Sequence, residues 1–250
     1  MVKAHFTCLL LGATVAAATC WSQLIDKPSM TRLEFTAYEE TRGATQCGYG
    51  FRLTAGAGIG FPNMDDINDY VDWINDSFGG SIDTIDQYYS YRVQLDYPIY
   101  PNLRLGLAYD RMDAETDGAL EFMGDVHHFE MDLEVEGGEL YLENEWPRLI
   151  GPCSVRVGAG IGYYWSDYIE KEDSYRASGD DENWGTRLST GITWHALKCL
   201  DIMLDGEYRW LEFSDYEDGG RDLRFVSPGN PPVEVDLSGF AIRLGVAWRF

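Results

Sequence analysis

From Gly48 to its last residue the chain repeats one pattern. Segments of about ten residues carry an apolar side chain at every second position, with Arg, Gly, Ser, Thr, Asp or Glu between. Period-two alternation describes a strand with two unlike faces. No stretch beyond residue 18 is apolar over the roughly twenty residues that a spanning helix needs. If such a chain enters a membrane, it does so as a closed sheet, because only helices and barrels satisfy every backbone hydrogen bond in hydrocarbon.

Eight segments fit the pattern. The first sets Phe51, Leu53, Ala55, Ala57, Ile59 and Phe61 against Arg52, Thr54, Gly56, Gly58 and Gly60. The second sets Tyr89, Tyr91, Val93, Leu95 and Tyr97 against Ser90, Arg92, Gln94 and Asp96, and the third sets Leu103, Leu105, Leu107 and Tyr109 against Arg104, Gly106, Ala108 and Asp110. The fourth, from about Val126 to Trp146, changes parity at Gly137 and Gly138, where an inserted residue, a β-bulge, is expected. Three more start near Val155, Trp184 and Leu200, and the last spans about Val233 to Phe250. In that last segment Val235 and Leu237 have the opposite parity to Phe240, which predicts a second bulge at Ser238 and Gly239. Connections alternate. Tyr97 to Asn102, Pro147 to Ser154 and His195 to Cys199 are short, whereas Pro62 to Gln87, Met112 to Asp125, Ser166 to Asn183 and Phe213 to Pro232 are long. The expected fold is all-β, an eight-stranded antiparallel up-and-down transmembrane β-barrel over residues 48–250, with short turns on the periplasmic side and long loops outside.

A soluble lipocalin-type barrel has the same strand count but keeps its greasy face inside and a Lys- and Glu-rich face in water. Here the polar parity holds Arg, Gly, Ser, Thr, Asp and Glu and no Lys, as an enclosed face would. Aromatic residues fall at segment ends, where amphipathic rings prefer the lipid interface. Phe51, Tyr97, Trp146, Trp194, Trp248 and Phe250 would form one girdle, and Phe61, Tyr89, Tyr109, Trp165, Trp184 and Trp210 the other.

In the last segment Arg243, Gly245, Trp248 and Phe250 resemble the C-terminal assembly signal of bacterial outer-membrane β-barrels. The chain as a whole is similar to the small OmpA/OmpX/OmpW-like group. That resemblance implies insertion by the barrel-assembly machinery, contact with outer-membrane lipid and lipopolysaccharide, and a monomer. It implies no single activity, since the group includes scaffolds, surface-interaction proteins and passages for small molecules.

The start of the chain agrees with export. Lys3, the apolar run Phe6 to Val15 and the small residues Ala16, Ala17 and Ala18 read as a signal peptide over residues 1–18. A lipoprotein would use Cys20, but the residues before it fit that signal poorly. Residues 19–47 read as a periplasmic N-terminal extension.

The polar parity predicts a charged lumen. Arg52, Arg92, Arg104, Arg156, Arg187, Arg209, Arg243 and Arg249 face inward with Asp96, Asp110, Glu139, Glu143, Glu145, Asp201, Asp205 and Glu207. Equal numbers suggest mutual neutralisation, a salt-bridged filling of a narrow barrel. The alternative is a charged constriction that passes small solutes or hydrophobic compounds. Facing Gly56, Gly58 and Gly60 across the lumen, Gly158, Gly160 and Gly162 would leave space for Arg side chains or water.

With the lumen neutral, the net charge of −23 must lie in the loops. Such acidity argues against nucleic acid and leaves an extracellular ligand open. No spacing matches a calcium loop, so neither metal nor cofactor is expected. Within the first loop, Asp65 to Phe78 has helical period, with Ile67, Tyr70, Val71, Ile74 and Phe78 on one face, and reads as a cap on the rim. Cys20, Cys47, Cys153 and Cys199 are disulfide candidates, with Cys153 to Cys199 and Cys20 to Cys47 favoured. A lipid-modifying enzyme would need a His and a Ser at the outer lipid interface. His127, His128, Ser90 and Ser166 lie nearest, His195 offers no partner, and no enzyme is expected.

Overall fold

The alternating segments form β1 (Arg52–Pro62), β2 (Tyr88–Tyr100), β3 (Leu103–Phe122), β4 (Asp125–Ile150), β5 (Cys153–Glu172), β6 (Tyr175–Trp194), β7 (Leu200–Trp210) and, after the short strands β8 (Glu212–Phe213) and β9 (Val235–Asp236), β10 (Gly239–Arg249). One helix, α1 (Asp65–Phe78), lies between β1 and β2. The computed structural model describes residues 50–250 except 123, 151, 152, 174, 226, 228 and 230. The signal-peptide and extension readings, Cys8, Cys20 and Cys47 lie outside the described residues.

Eight strands close into a barrel in the order β1-β10-β7-β6-β5-β4-β3-β2, and β8 pairs with β9 separately. Every pairing is antiparallel. The closing seam runs in unbroken register from Arg52 opposite Arg249 to Pro62 opposite Gly239.

Two of the expected long loops are strand. Met112 to Asp125 and Ser166 to Asn183 continue the barrel wall, so β3, β5 and β6 have 20 residues and β4 has 26, against 11 for β1, β7 and β10. At about 3.3 Å per residue, the β3–β4 and β5–β6 hairpins stand roughly 30 Å above the other strands. The barrel thus has a turn end and a hairpin end.

Neither expected bulge is present. β4 passes through Gly137 and Gly138 in continuous register with both neighbours, Asp110 facing Gly137 and Tyr109 facing Gly138. Across the gap between β9 and β10 no residue is inserted either, because Asp236 faces Glu212 and Gly239 faces Arg209. There the Ser238 hydroxyl accepts from the Leu211 N–H (3.1 Å) where the ladder is interrupted. Odd residues of β4 point inward from Phe129 to Glu145, and it is the chemistry that changes. In the lower half Glu139, Tyr141 and Glu143 are buried while Leu140 and Leu142 are exposed. In the upper half Phe129, Met131, Leu133 and Val135 are buried, and Glu130, Asp132, Glu134 and Glu136 look out.

The barrel is therefore two barrels in one wall. Its lower half has an apolar outside and a charged inside, as lipid requires. Its upper half, the head, has an acidic outside and an apolar core, as water requires. The head core gathers inward side chains of β3 to β5 with Leu211, Phe213, Tyr216, Phe225, Val233, Val235 and Leu237.

Helix α1 caps this core. Ile67, Tyr70, Val71 and Ile74 are buried in it, Phe78 packs against it, Asp65 and Asp66 complement the helix dipole, and Gly79 ends the helix in the left-handed region (φ 66°). Two asparagine amides tie the returning chain to the helix. Asn75 exchanges hydrogen bonds with Ile82 (2.9 Å each way), and Asn68 with Ile85 (2.8 and 3.2 Å).

Candidate functional site

Strand alternation carries all sixteen predicted charged side chains into the lower lumen, and each has an oppositely charged partner. They form three groups. In the first, Asp96 takes Arg52 (3.0 Å) and Arg104, Glu143 takes Arg52 and Arg156 (2.8 Å), Glu145 takes Arg52 (3.2 Å) and Asp205 takes Arg156 (2.6 Å). In the second, Glu139 takes Arg92 and Arg187 (both 2.7 Å), and Asp110 takes Arg92 (2.6 Å), Arg209 (3.4 Å) and Arg243 (3.6 Å). Glu207 completes it by taking Arg243 (2.8 Å), Arg187 and Arg209 (both 3.4 Å). In the third, Arg249 meets Asp201 at 2.7 Å.

The first group has one carboxylate in excess and the second one guanidinium in excess. They adjoin across a cavity of about 20 Å³ lined by Arg92, Arg187 and Arg243 on one side and Glu143, Arg156 and Asp205 on the other. That volume holds about one water. The lumen is close to neutral, and this cavity at its centre of charge is small.

Tyrosines complete the filling, and the sequence reading overlooked them. Tyr88, Tyr141 and Tyr164 each lie directly across the ladder from a glycine, at Gly60, Gly106 and Gly137. A Cβ added at any of the three glycines would enter the facing ring. The glycine rows of β1 and β5, four strands apart in the ring, thus make room for side chains of adjacent strands, with Arg243 against Gly56 and Gly58 and Glu139 against Gly160. The rings bear on the charges too. Arg92 and Arg187 sit over Tyr141 (5.4 and 5.9 Å), Arg209 sits over Tyr164 (5.2 Å), and the Tyr141 hydroxyl donates to Asp96 (3.0 Å). The available signal was a tyrosine on the inward parity.

At the turn end His195 does have partners. Its Nε2 lies 2.7 Å from the Ser154 hydroxyl and its Nδ1 lies 2.9 Å from Asp201 Oδ1, to which Arg249 also donates. With Nδ1–H donating to Asp201, Nε2 accepts from Ser154, an order that resembles a nucleophile, base and acid. Ser154 is 0% exposed, however, so no acyl group reaches its oxygen, and the relay binds β5, β7 and β10 together.

The favoured Cys153 to Cys199 disulfide is corrected. Cys153 is free, while Cys199 is disulfide-bonded to another cysteine. β6 separates the starts of β5 and β7, and Cys153 shares the outward parity of Val155. Arg243, Gly245 and Trp248 of the assembly motif lie on β10, between β1 and β7, and Phe250 directly follows it, with Arg243 in the lumen and Trp248 and Phe250 exposed outward. Every girdle ring is on the outside, half-exposed at Trp146 and exposed elsewhere.

The acidity sits on the head's strands. Asp113, Glu134, Asp167 and Asp180 stand side by side across β3 to β6, facing out. Nearby, Arg111 reaches Asp113, Glu134 and Glu136, and Lys171 reaches Glu130 and Asp132. His127, bonded to Asp173 (2.6 Å), is nine positions along β4 from Glu136, about 30 Å of strand beyond the apolar band. Ser90 and Ser166 point inward and are buried. These histidines and serines do not meet at a lipid interface.

Inside the head, Glu170 accepts from Tyr70 (3.2 Å) and Tyr168 (3.1 Å), and among the described residues no base pairs with it. Burial raises its pKa above the usual carboxylate value, and Glu172 adds to the rise. The folded head thus binds a proton more tightly than the unfolded chain does. Glu170's contribution to stability is therefore fully present in acid and is lost as pH rises from the ordinary glutamate range through its own raised value. Protection factors of α1 amides are expected to be higher at about pH 5 than at about pH 7, and Glu170→Gln should abolish the difference. An equal pH response in Glu170→Gln would assign the effect elsewhere.

No protein-family model and no curated protein matches the chain. Solved structures do. Outer membrane protein OprG from Pseudomonas aeruginosa is 14% identical over 81% of this chain and 96% of that chain, with a TM-score of 0.52. Neisserial surface protein A is 11% identical over 80% of this chain and 97% of that chain, with a TM-score of 0.48. At such identities the likeness is one of fold. The closed antiparallel ring, its apolar outer band and this likeness together give the chain the fold of the small eight-stranded outer-membrane β-barrels.

Proposed function

We propose that the chain is an integral outer-membrane protein in which a sealed lower barrel supports a folded acidic head at the cell surface, as a structural or surface-interaction protein. The observation that carries this reading is the lumen. Its sixteen charges are mutually paired, and the cavity among them has room for about one water. A solute path would need the second group of ion pairs to part, at a cost of several kcal/mol per ion left unpaired in a low-dielectric interior. The hairpin end, with α1 and the acidic strands, then faces outward, and the short turns and barrel ends face the periplasm. On this reading the lipid contacts are outer-membrane lipid and lipopolysaccharide, and insertion uses the barrel-assembly machinery.

Planar-bilayer recording tests it. Wild-type barrels are expected to pass no current, and Arg92→Ala or Arg209→Ala, which open the second group, to pass some. Steady wild-type conductance left unchanged by both substitutions would favour a narrow channel for small solutes or hydrophobic compounds.

A further inference from the structure

Between α1 and the segment 225–234 that leads into β9 lies a cavity of about 410 Å³, within the range of small-ligand sites. Its lining combines two chemistries. Tyr70, Trp73 and Phe225 supply aromatic surface, and Asp66, Asp69 and Glu234 supply carboxylates. No Lys or Arg lines it among the described residues, and the nearest base along the chain, Arg224, bonds Asp222 (3.1 Å).

The aromatic wall is held in place. Tyr70 stacks on Phe225 with centroids 4.2 Å apart, Trp73 lies nearly parallel to Tyr70 at 6.1 Å, and Phe78 meets Trp73 edge-on at 5.8 Å. Tyr70 is anchored from behind by its hydrogen bond to Glu170, so a further carboxylate lies beyond the ring. Trp73 is only half-buried, whereas the aspartates at positions 66 and 69 are exposed. Aromatic faces and unpaired carboxylates in one concavity attract the same guest, a cation with an apolar coat. A bare metal ion fits less well, because no cluster of three or more acidic, His or Cys ligands is present among the described residues. A neutral apolar guest would leave the carboxylates unused.

The geometry points to a binding site for a small alkylated ammonium ion in this cavity. The inference rests on the reading of the head as the interacting part of the protein, and it names the class of ligand. Trp73 offers the largest π surface, and Asp69, one helical turn before it, places a carboxylate on the same side of α1.

The test is isothermal titration of the full chain folded in a maltoside, a detergent with no ammonium group of its own. Choline is the probe. Its uncharged counterpart 3,3-dimethylbutan-1-ol, which has carbon in place of the ammonium nitrogen, is the control. Choline is expected to bind roughly tenfold more tightly than the alcohol, and Trp73→Leu and Asp69→Asn are each expected to weaken choline severalfold. Asp117→Asn, on the outer face of β3, should change nothing. Equal binding of choline and the alcohol, absence of choline binding, or equal weakening by Asp117→Asn would overturn the site. Should Trp73→Leu fail to fold, Asp69→Asn and Glu234→Gln carry the comparison. The outcome is independent of conductance. A conducting barrel that still discriminates choline overturns the sealed support alone, and a silent barrel that does not overturns the site alone.

Discussion

Glu139→Ala is expected to lower the unfolding free energy of the barrel by about 3–5 kcal/mol, the range for removing one partner of a buried ion pair. Glu139 is 2% exposed and holds two guanidiniums at once, with Arg187 engaging both of its oxygens. Its loss leaves Arg187 with only the 3.4 Å contact to Glu207, and sets Arg92 and Arg187 near each other without the anion between them. Urea unfolding in lipid vesicles, followed by heat-modifiable migration, measures the change. Glu145→Ala is the reference. That carboxylate is partly exposed and meets one arginine at 3.2 Å, so its removal should cost under about 1 kcal/mol. Equal small effects of both would mean that the lumen is wet and its pairs are screened.

The second large effect tests the change of polarity along β4. Leu133→Asp puts a carboxylate into the head core between Ala114 and Tyr168 and should cost about 3–5 kcal/mol. Its neighbour Glu134 faces water, so Glu134→Val should stay within about 0.5 kcal/mol. Lower on the same strand the even positions face lipid and become sensitive to an added charge. Leu140→Arg puts a charge on the lipid face and should cost roughly 2–4 kcal/mol. A bulge at Gly137 would reverse the order of the first two variants. Equilibrium unfolding in vesicles ranks all three.

The eight strands and the sixteen lumen charges were legible because alternation assigns each side chain to a face before any partner is known. The head was not, for a reason visible in β3. Arg111, Asp113, Glu115 and Asp117 alternate with Met112, Ala114 and Thr116 as regularly as any strand, but with acids where the lower barrel has leucines. A reading that assumes one solvent takes this inversion for a loop, or on β4 for a slipped register. Which arginine meets which acid also escapes the sequence, since pairing depends on strand stagger. Arg156 reaches Asp205 across the intervening β6, and Arg52 reaches from β1 to Glu143 on β4. His195 was expected to have no partner because a turn residue has no parity. Its partners are brought to it by the ends of β5 and β7.

The stacked design also sets a problem of transit. With the head at the cell surface, as proposed, the tips of β3–β4 and β5–β6 would have to pass through the membrane before the apolar band settles in it. On the way, the row Asp113, Glu134, Asp167 and Asp180 would face hydrocarbon, each carboxylate in the place a leucine occupies afterwards. The head core cannot shelter them, because it draws residues from Met64 to Ala241 and is complete only when the ring has closed. The barrier to insertion therefore lies in the part of the wall that ends up in water. On the proposed orientation, insertion would be eased by any catalyst that opens a hydrated route across the bilayer.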